Sequence, residues 1–447
     1  MQTIPCVLQG HNVLVSAPTG TGKTASYLVP AIAQVLLKRE AEGGEELLAL
    51  VLAPIRELAI QIESVAKFLM HGIRDMKTAL VVGGFPIPTQ RYRLQSGVQL
   101  IVATPGRFLD IFTNYSGGEA ILLGIHTVVV DEVDMMLDVG FRPQISQIVA
   151  LLATLRKERS VQILFFSATV SDEVEGLVRL VMKGQHEPTY IRVDVCSNDS
   201  KTPAATGMTS FSLNPIVEHQ VRWAEDKTKK KALFDFLEGK HEESTLVFVS
   251  SKIGATMLAE AIHKRCGIYS ASIHADKSQK ERLALLEAFI NLEIPVLVST
   301  NVLSRGMDLL HVRNVVIYDF PKKVADYVHL IGRTGRGDDG IGNALTLVNQ
   351  GDRSIFREFI SVLRSAKIRV PREVYQSVHS EDAQQQARSS NVVIDESKRA
   401  FRIRKQLIDE IDVPASEWKG WNSHKNAVFK RQIKREHHND SVTTRLK

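Results

Sequence analysis

The stretch NVLVSAPTGTGKT, residues 12–24, runs from a β-branched segment into a glycine-rich loop that ends in a lysine and a threonine. A helix-length segment follows, and the order strand, loop, helix is the context in which such a loop binds phosphates. Gly20 and Gly22 allow backbone conformations that direct N–H groups at phosphate oxygens. We therefore expect Lys23 to reach the β- and γ-phosphates of a nucleoside triphosphate and Thr24 to bind Mg²⁺. The residues predicted to line the nucleotide here are Ala17, Thr19, Gly20, Thr21, Gly22, Lys23 and Thr24, with alanine where the general pattern has its first glycine.

Outward from this loop, short β-branched runs alternate with helix-length amphipathic segments in two series. That alternation predicts an α/β fold in which each series forms a mainly parallel β-sheet covered by helices on both faces. Between the series, Ser, Thr, Asn, Pro and Gly accumulate without an apolar period, which indicates a linker. The predicted domains are residues 1–195 and 217–371, with the linker at 196–216 and an extension at 372–447. The predicted strands are 12–16, 49–53, 78–82, 98–102, 127–130 and 161–166 in the first domain, and 217–222, 245–249, 269–273, 296–299, 314–318 and 344–348 in the second.

The composition of the 447 residues is that of an ordinary globular protein, with 44% hydrophobic and 24% charged residues. No apolar run approaches the roughly 20 residues that a membrane-spanning helix needs, and the first residues carry no basic segment typical of a secretion signal. Three cysteines, Cys6, Cys196 and Cys266, are too few for a disulfide framework or a structural zinc site. These features predict no membrane association and an intracellular location, with nucleus and cytoplasm both open.

The net charge of +6 is concentrated near the carboxyl-terminal end. Residues 397–447 carry 13 basic and 6 acidic side chains, a net charge of +7, so the rest of the chain is close to neutral. Together with Trp418 and Trp421, this charge fits a weak tether for a nucleic acid, and it equally fits a solvated or protein-binding arm. The extension at 372–447 is predicted to be basic and partly disordered.

An acidic cluster, Asp131-Glu132-Val133-Asp134, follows the predicted strand at 127–130. Sheets of this kind bind ligands at the carboxyl ends of their strands, so the cluster is placed to face the phosphate-binding loop. Asp131 is predicted to hold hydrated Mg²⁺, and Glu132 to orient and deprotonate the attacking water. Without the loop upstream, such a cluster would more often be a solvated turn.

Further blocks in a fixed order make the chain similar to one family. They are Pro54-Ile55-Arg56-Glu57-Leu58-Ala59, Gly83-Gly84, Thr104-Pro105-Gly106-Arg107, Ser167-Ala168-Thr169, Leu246-Val247-Phe248-Val249-Ser250, His274 with Gln279 and Arg282, Ser304-Arg305-Gly306-Met307-Asp308, and His329-Leu330-Ile331-Gly332-Arg333-Thr334-Gly335-Arg336. Through these blocks residues 1–370 resemble the DEAD-box RNA helicases of superfamily 2, whereas the extension does not. The resemblance implies two RecA-like domains that bind ATP and single-stranded RNA across their interface and close when both are bound.

The same resemblance implies which residues act at the nucleotide, with ATP and Mg²⁺ as the bound cofactors. Arg333 and Arg336, three residues apart, would approach the γ-phosphate from the second domain as arginine fingers. Gly306 and Asp308 would also bind the nucleotide, with Asp308 accepting a hydrogen bond from the ribose hydroxyl. The predicted catalytic residues are Lys23, Asp131, Glu132, Arg333 and Arg336.

An RNA path and its link to the nucleotide are implied as well. Ser167 and Thr169 resemble the family's link between hydrolysis and strand separation, and His329 would connect the second domain to the acidic cluster. Binding should read the RNA backbone and 2′-hydroxyls rather than base edges, because glycines and helix starts present N–H groups to phosphates. The expected partners of a monomeric protein are single-stranded or locally duplex RNA and ribonucleoprotein proteins. The predicted RNA contacts are Pro54, Arg56, Gly83, Gly84, Thr104, Gly106 and Arg107 in the first domain, and Arg282 and Thr300 in the second.

Several positions depart from the family pattern. Val133 stands where the family name has alanine, and Ile55 stands where threonine is usual. Asn301 replaces the usual aspartate and Leu330 the usual arginine, which would weaken the coupling between RNA binding and hydrolysis. An alternative to an ATP-dependent RNA helicase is therefore an RNA clamp or scaffold that binds RNA and ATP but unwinds poorly. A double-stranded DNA translocase is disfavoured, because the blocks at 54–59 and 104–107 match the RNA-directed branch.

Residues 1–5 resemble the segment that follows the family's adenine-reading glutamine motif, and Gln2 is out of register for that role. We therefore expect an amino-terminally truncated product in which the glutamine is missing. Such a chain should discriminate poorly between ATP and GTP, because the remaining predicted contacts hold only phosphates and metal.

Overall fold

The computed structural model describes residues 2–17, 21–42, 48–114, 118–155, 161–182, 189–195, 213–214, 216–303, 312–335 and 342–378. Most of the predicted linker at 196–216 and nearly all of the predicted extension at 372–447 lie outside these residues. The chain divides after Val378, and all of the described residues lie in the unit Met1–Val378. Within the described ranges, no helix is long and apolar enough to cross a membrane.

The first domain alternates strands and helices along the chain. Its strands are β1 (Asn12–Ser16), β2 (Leu48–Leu52), β3 (Thr78–Val81), β4 (Leu100–Ala103), β5 (Ile125–Val130), β6 (Gln162–Ser167) and β7 (Tyr190–Asp194). Its helices are α1 (Thr3–Leu8), α2 (Lys23–Glu42), α3 (Arg56–Leu69), α4 (Ile87–Gln95), α5 (Pro105–Asn114), α6 (Glu119–Gly124), α7 (Val133–Asp138), α8 (Arg142–Leu155) and α9 (Asp172–Met182). The strands pair in parallel in the order β3-β4-β2-β5-β6-β1-β7.

Helices cover both faces of this sheet because its central strands are apolar on both faces. In β2, Leu48, Leu50 and Leu52 belong to one core cluster, whereas Ala49 and Val51 belong to the cluster on the opposite face. Every residue of β2 and β5 is buried. Continuous apolar strands of this kind are typical of parallel sheets enclosed between two helical layers.

The second domain repeats this architecture. Its strands are β8 (Val217–Trp223), β9 (Thr245–Phe248), β10 (Ser270–Ile273), β11 (Val296–Ser299), β12 (Asn314–Ile317) and β13 (Gly342–Val348). Its helices are α10 (Asp226–Leu237), α11 (Lys252–Cys266), α12 (Gln279–Ile290), α13 (Val324–Ile331) and α14 (Phe356–Ser365), with 3₁₀ turns at Asn301–Leu303 and Gln350–Ile355. The described strands are parallel in the order β10-β11-β9-β12-β13-β8. The predicted α/β class with two parallel-sheet domains is confirmed.

Two features of the fold were not predicted from the sequence. Strand β7 is an edge strand with only one buried residue, Val193, so it lacks the apolar run that marks the other strands. Residues 372–378 are helical, and Val374 is fully buried against the second-domain core. That core therefore continues past the predicted boundary at 371.

Strand order places the predicted motifs in two groups on the first domain. Strands β5, β6 and β1 are neighbours, so the acidic cluster, Ser167 and the phosphate-binding loop lie side by side at their carboxyl ends. Strands β3, β4 and β2 form the other half of the sheet, and their carboxyl ends lead into Gly83, Thr104 and Pro54. Ligands bind at this edge of a parallel sheet, so the fold places the predicted nucleotide residues and the predicted RNA residues on different halves of the sheet.

Candidate active site

The described end of the phosphate-binding loop leads directly into α2. Gly22 has a φ of +83°, a left-handed conformation that glycine adopts without strain. Lys23, the first residue of α2, places its Nζ 3.0 Å from Oε1 of Glu132, and both side chains are buried. The backbone of Glu132 is itself left-handed, with a φ of 49° and a ψ of 56°. This sharp turn between β5 and α7 carries the carboxylate back toward the loop.

Both carboxylate oxygens of Asp131 are held by hydrogen bonds. The hydroxyl of Tyr27, on α2, donates to Oδ2 at 2.8 Å, and the backbone N–H of Glu132 donates to Oδ1 at 2.9 Å. Burial, followed by the charge of Glu132, raises the pKa of Asp131 to about 6. Burial and the adjacent Asp131 charge also raise the pKa of Tyr27 well above its ordinary value, so its hydroxyl remains a donor.

Negative charge exceeds positive charge in this buried group. Lys23 faces the carboxylates of Asp131, Glu132 and Asp134, and their attraction outweighs the effect of burial, so the pKa of Lys23 is raised. Oε2 of Glu132 is buried and has no hydrogen-bond partner among the described residues. Carboxylate oxygens and water are the ligands that Mg²⁺ prefers, so the donor set fits a hydrated divalent cation.

Asp134 connects three separate parts of the chain. Oδ2 of Asp134 accepts a hydrogen bond from the Thr169 hydroxyl at 3.0 Å. The backbone N–H of Asp134 donates to Oγ of Ser167 at 3.3 Å. Oδ2 also lies 3.7 Å from Nε2 of His329, which belongs to α13 of the second domain. The structure thus brings Ser167, Thr169 and His329 together around one buried carboxylate to which the sequence reasoning assigned no role.

A second contact joins the same two helices. Nζ of Lys323, at the start of α13, lies 2.6 Å from Oδ1 of Asp138, the last residue of α7. Arg333 follows α13, is fully buried, and donates from Nε to the carbonyl of His329 at 3.3 Å. Helices α7 and α13 are therefore in contact near both of their ends. The predicted residues Thr19, Gly20, Gly306, Asp308 and Arg336 lie outside the described part of the chain.

On the other half of the first sheet, Arg56 lies against the Gly83-Gly84 backbone. A Cβ atom added at Gly83 would stand 2.7 Å from Nη2 of Arg56, and one added at Gly84 would stand 2.8 Å from Nη1. Arg107 donates from Nη1 to the Phe85 carbonyl at 3.2 Å, at the same turn. The pKa of Arg56 is lowered by partial burial and then by the nearby positive charges of Arg282 and Arg107.

Arg282, a predicted RNA contact, takes part in an ion pair within the protein. It is buried, and its Nη1 lies 2.7 Å from Oε1 of Glu57, across the boundary between the domains. Gln279 donates to the same Oε1 at 3.1 Å and accepts a hydrogen bond from Nη2 of Arg282. Nη1 and Nη2 of Arg282 thus both have partners within the protein. The ion pair between Arg282 and Glu57 joins the two domains beside Arg56.

The remaining predicted RNA residues lie at helix starts and strand ends. The Thr104 N–H donates to the Val81 carbonyl at 3.0 Å, which ties the end of β4 to β3. Thr300 is 9% exposed, and its N–H donates to the carbonyl of Ile273 at 3.2 Å. The remaining two, Pro54 and Gly106, stand before α3 and in the first turn of α5, respectively.

Three residues of the site were missed by sequence reasoning: Tyr27, Glu57 and Asp134. A signal existed for two of them, because Glu57 lies within a recognised block and Asp134 ends the acidic cluster. Tyr27 stands four residues after Lys23, one helical turn along α2, which places both side chains on one face. No local pattern indicates that this face meets Asp131.

We expect Asp131→Asn to raise the melting temperature of the nucleotide-free protein at pH 7.5. Since the pKa of Asp131 is raised to about 6 in the folded state, protonation stabilises that state at low pH, and this contribution is lost as the pH rises through about 6. Asparagine avoids the cost of the buried charge, on the order of 2 kcal/mol. The gain should therefore grow between about pH 4 and about pH 6, be complete above about pH 7, and vanish below about pH 4.

Differential scanning fluorimetry across this pH range measures the effect. Asp172→Asn, at the exposed start of α9, is the control and should give no pH-dependent gain. A melting temperature of Asp131→Asn that follows the wild type at every pH would contradict the buried-charge argument.

Comparison with family models identifies both domains. Residues 1–177 match the model described as DEAD/DEAH box helicase, and residues 228–338 match the model described as Helicase conserved C-terminal domain. The chain is 41% identical over 379 residues to DEAD-box ATP-dependent RNA helicase 41 of Arabidopsis thaliana, covering 84% of this chain and 70% of that protein. It is 39% identical over 384 residues to the probable ATP-dependent RNA helicase DDX59 of Homo sapiens, covering 86% of this chain and 57% of that protein. The chain thus spans between 57% and 70% of the length of these relatives.

Solved structures give the same result. A structure of Mss116p (NTE and C-tail double deletion) bound to ssRNA and AMP-PNP matches with a TM-score of 0.70 and 25% identity, covering 82% of this chain and 71% of that one. S. cerevisiae Dbp5 bound to RNA and ADP BeF3 matches with a TM-score of 0.65 and 26% identity, covering 85% of this chain and 89% of that one. With both domains, the motifs and the fold in agreement, the chain belongs to the family of DEAD-box ATP-dependent RNA helicases.

Proposed function

We propose that this chain hydrolyses ATP when RNA holds its two domains together, and that it uses the cycle to separate short RNA duplexes or to remodel ribonucleoprotein. The observation that carries the proposal is the position of Asp134, hydrogen-bonded to Thr169 and 3.7 Å from His329 of the other domain. The buried Asp134 carboxylate thereby has one partner in the first domain, near the proposed nucleotide site, and one partner in the second domain. Hydrolysis and domain contact become linked through it.

Lys23 and the phosphate-binding loop are the proposed ATP site. Lys23, at the start of α2, pairs with Glu132, with Nζ 3.0 Å from Oε1. When ATP binds, Lys23 would leave this carboxylate and contact the β- and γ-phosphates. The loop residues 17–24, including Ala17, Thr21 and Gly22, would surround the phosphates with N–H groups. Thr24 and Asp131 would hold Mg²⁺, which would supply positive charge to neutralise the phosphates.

Glu132 is the proposed general base. Its Oε2 is buried without a partner among the described residues, so it can accept a hydrogen bond from a water molecule. Release of Oε1 from Lys23 on ATP binding would leave the carboxylate free to orient that water for attack on the γ-phosphate. Arg333 is buried and donates a hydrogen bond to the carbonyl of His329. Together with Arg336, it would supply positive charge from the second domain to the γ-phosphoryl group during transfer.

RNA is proposed to bind along the ends of β2, β3 and β4. Arg56 lies within electrostatic reach of Arg107 and Arg282, and these three arginines face two carboxylates, Glu57 beside Arg282 and Asp110 at 3.4 Å from Arg107. This surplus of positive charge suits a phosphate backbone, and backbone N–H groups at Gly83, Gly84, Thr104 and Gly106 can add contacts. Arg282 would act mainly by joining Glu57, so that RNA bound at Arg56 sits beside the domain boundary.

The solved relatives support this assignment of ligands. Mss116p was captured with single-stranded RNA and AMP-PNP, and Dbp5 with RNA and ADP BeF3. Both share the two-domain fold with this chain at TM-scores of 0.70 and 0.65. Single-stranded RNA and an adenine nucleotide are therefore the partners we propose here.

A second candidate function, an RNA clamp or scaffold with weak unwinding, is favoured by the position of Leu330. This residue stands where the family has arginine, and it is 2% exposed within the core of the second domain. It therefore adds no polar group to the domain boundary. The two functions differ in one observable: a helicase unwinds a short duplex at a rate that follows its RNA-stimulated ATPase activity, whereas a clamp shows the ATPase without the unwinding.

We expect Glu132→Gln to keep ATP and RNA binding and to lower turnover by at least about 100-fold, because the amide cannot take a proton from water. The protein should then stay on RNA in an ATP-bound complex, measured as slow dissociation of a fluorescent RNA. Lys23→Ala is the comparison, in which nucleotide affinity and turnover should fall together. Multiple-turnover ATPase activity at the wild-type rate in Glu132→Gln would exclude Glu132 as the base.

We expect Gly83→Ala to weaken RNA binding without changing nucleotide affinity. The new Cβ would stand 2.7 Å from Nη2 of Arg56, so the guanidinium has to move away from the turn. The dissociation constant for a short single-stranded RNA, measured by fluorescence anisotropy, should rise roughly fivefold, which corresponds to about 1 kcal/mol. Gly176→Ala in α9, where the nearest atom lies 3.5 Å from the new Cβ, is the matched control and should bind RNA as the wild type does. Equal affinities for Gly83→Ala and the wild type would show that the position of Arg56 does not matter for RNA.

A further inference from the structure

Tyr27 occupies a buried position that the nucleotide chemistry described above does not use. Its side chain is fully buried, and its ring packs edge-on against Phe166 with centroids 5.0 Å apart. Its hydroxyl donates to Oδ2 of Asp131 at 2.8 Å. Burying a hydroxyl costs free energy unless it is hydrogen-bonded, so the Asp131 carboxylate is what makes tyrosine tolerable inside this core.

The Tyr27 hydroxyl is one of two donors that hold the Asp131 carboxylate, one at each oxygen. Oδ1 of Asp131 accepts the N–H of Glu132 at 2.9 Å, while Oδ2 accepts the Tyr27 hydroxyl. An ionised carboxylate has about four acceptor sites, so two remain for the water molecules that surround a bound cation. With two donors in place, the carboxylate plane is fixed before a cation arrives.

We propose that Tyr27 is a positioning residue for the metal–nucleotide complex, in which its hydroxyl holds the Asp131 carboxylate in the orientation that receives hydrated Mg²⁺. This inference rests on the proposed ATP and Mg²⁺ site. Without the hydroxyl, the carboxylate would rotate about its Cβ–Cγ bond and lose that preorganisation. Only the Mg²⁺-dependent part of the nucleotide affinity should decrease, because Lys23 and the loop would contact the phosphates independently of Tyr27.

Tyr27→Phe removes the hydroxyl and keeps the ring, and the probe is a fluorescent mant-ADP titrated in excess EDTA and at rising Mg²⁺ concentration. In EDTA the affinity of the variant should stay within about twofold of the wild type. The Mg²⁺ concentration that gives half of the affinity gain should rise about 3- to 10-fold, the range expected from the net contribution of one typical intramolecular hydrogen bond. Tyr327→Phe, another fully buried tyrosine, in the second-domain core against Phe320 and Phe359, is the control and should leave the Mg²⁺ titration unchanged.

A double variant tests whether Tyr27 acts through Asp131. In an Asp131→Asn background, Tyr27→Phe should have no further effect on the Mg²⁺ titration. An unchanged titration in the single variant, or the same shift in both backgrounds, would overturn the inference. If the wild type itself gained no affinity from Mg²⁺, the proposed nucleotide site would fail, and the two failures are therefore distinguishable.

Discussion

The carboxylate of Asp134 is the contact on which the proposed coupling between the two domains depends. It is buried, it accepts the Thr169 hydroxyl, and it lies 3.7 Å from His329 of the second domain. A buried carboxylate is costly unless partners surround it, so its environment is complete only when the domains are in contact. Two residues earlier, Glu132 pairs with Lys23, and four residues later Asp138 pairs with Lys323. The short helix α7 thus connects the proposed chemistry to the domain boundary within a single turn and a half.

A similar arrangement occurs on the half of the sheet that is proposed to bind RNA. Arg56 and Glu57 are adjacent at the start of α3, yet one lies against the Gly83-Gly84 turn and the other pairs with Arg282 of the second domain. A ligand that orders Arg56 therefore acts one residue away from an interdomain ion pair. Each half of the first domain contributes its own contact to the boundary, which explains how two different ligands can favour the same domain arrangement.

Sequence reasoning could find the features that are local in the chain. The phosphate-binding loop, the acidic cluster and the alternation of strands and helices each lie within a few consecutive residues, and a parallel sheet brings such strand ends to one edge. Contacts between distant side chains could not be predicted. Glu57 and Arg282 are 225 positions apart by number, and the burial of Arg282 follows from how the domains meet. Strand β7 was not predicted, because an edge strand is largely exposed and needs no apolar run.

The most direct measurement of the central claim is the ratio of ATP turnover with saturating RNA to turnover without RNA, in the wild type and in Asp134→Asn. Asparagine keeps the size of the side chain but removes the charge that faces His329, and its single amide oxygen cannot replace both acceptors, which are used by the Thr169 hydroxyl and the Met135 N–H. The account predicts that mant-ADP affinity is retained while the RNA stimulation falls by roughly tenfold or more, which corresponds to the loss of about one hydrogen bond to a charged group. Asp172→Asn, far from the acidic cluster in the chain, should keep the wild-type ratio. Full RNA stimulation in Asp134→Asn would show that the two domains are coupled by some other contact.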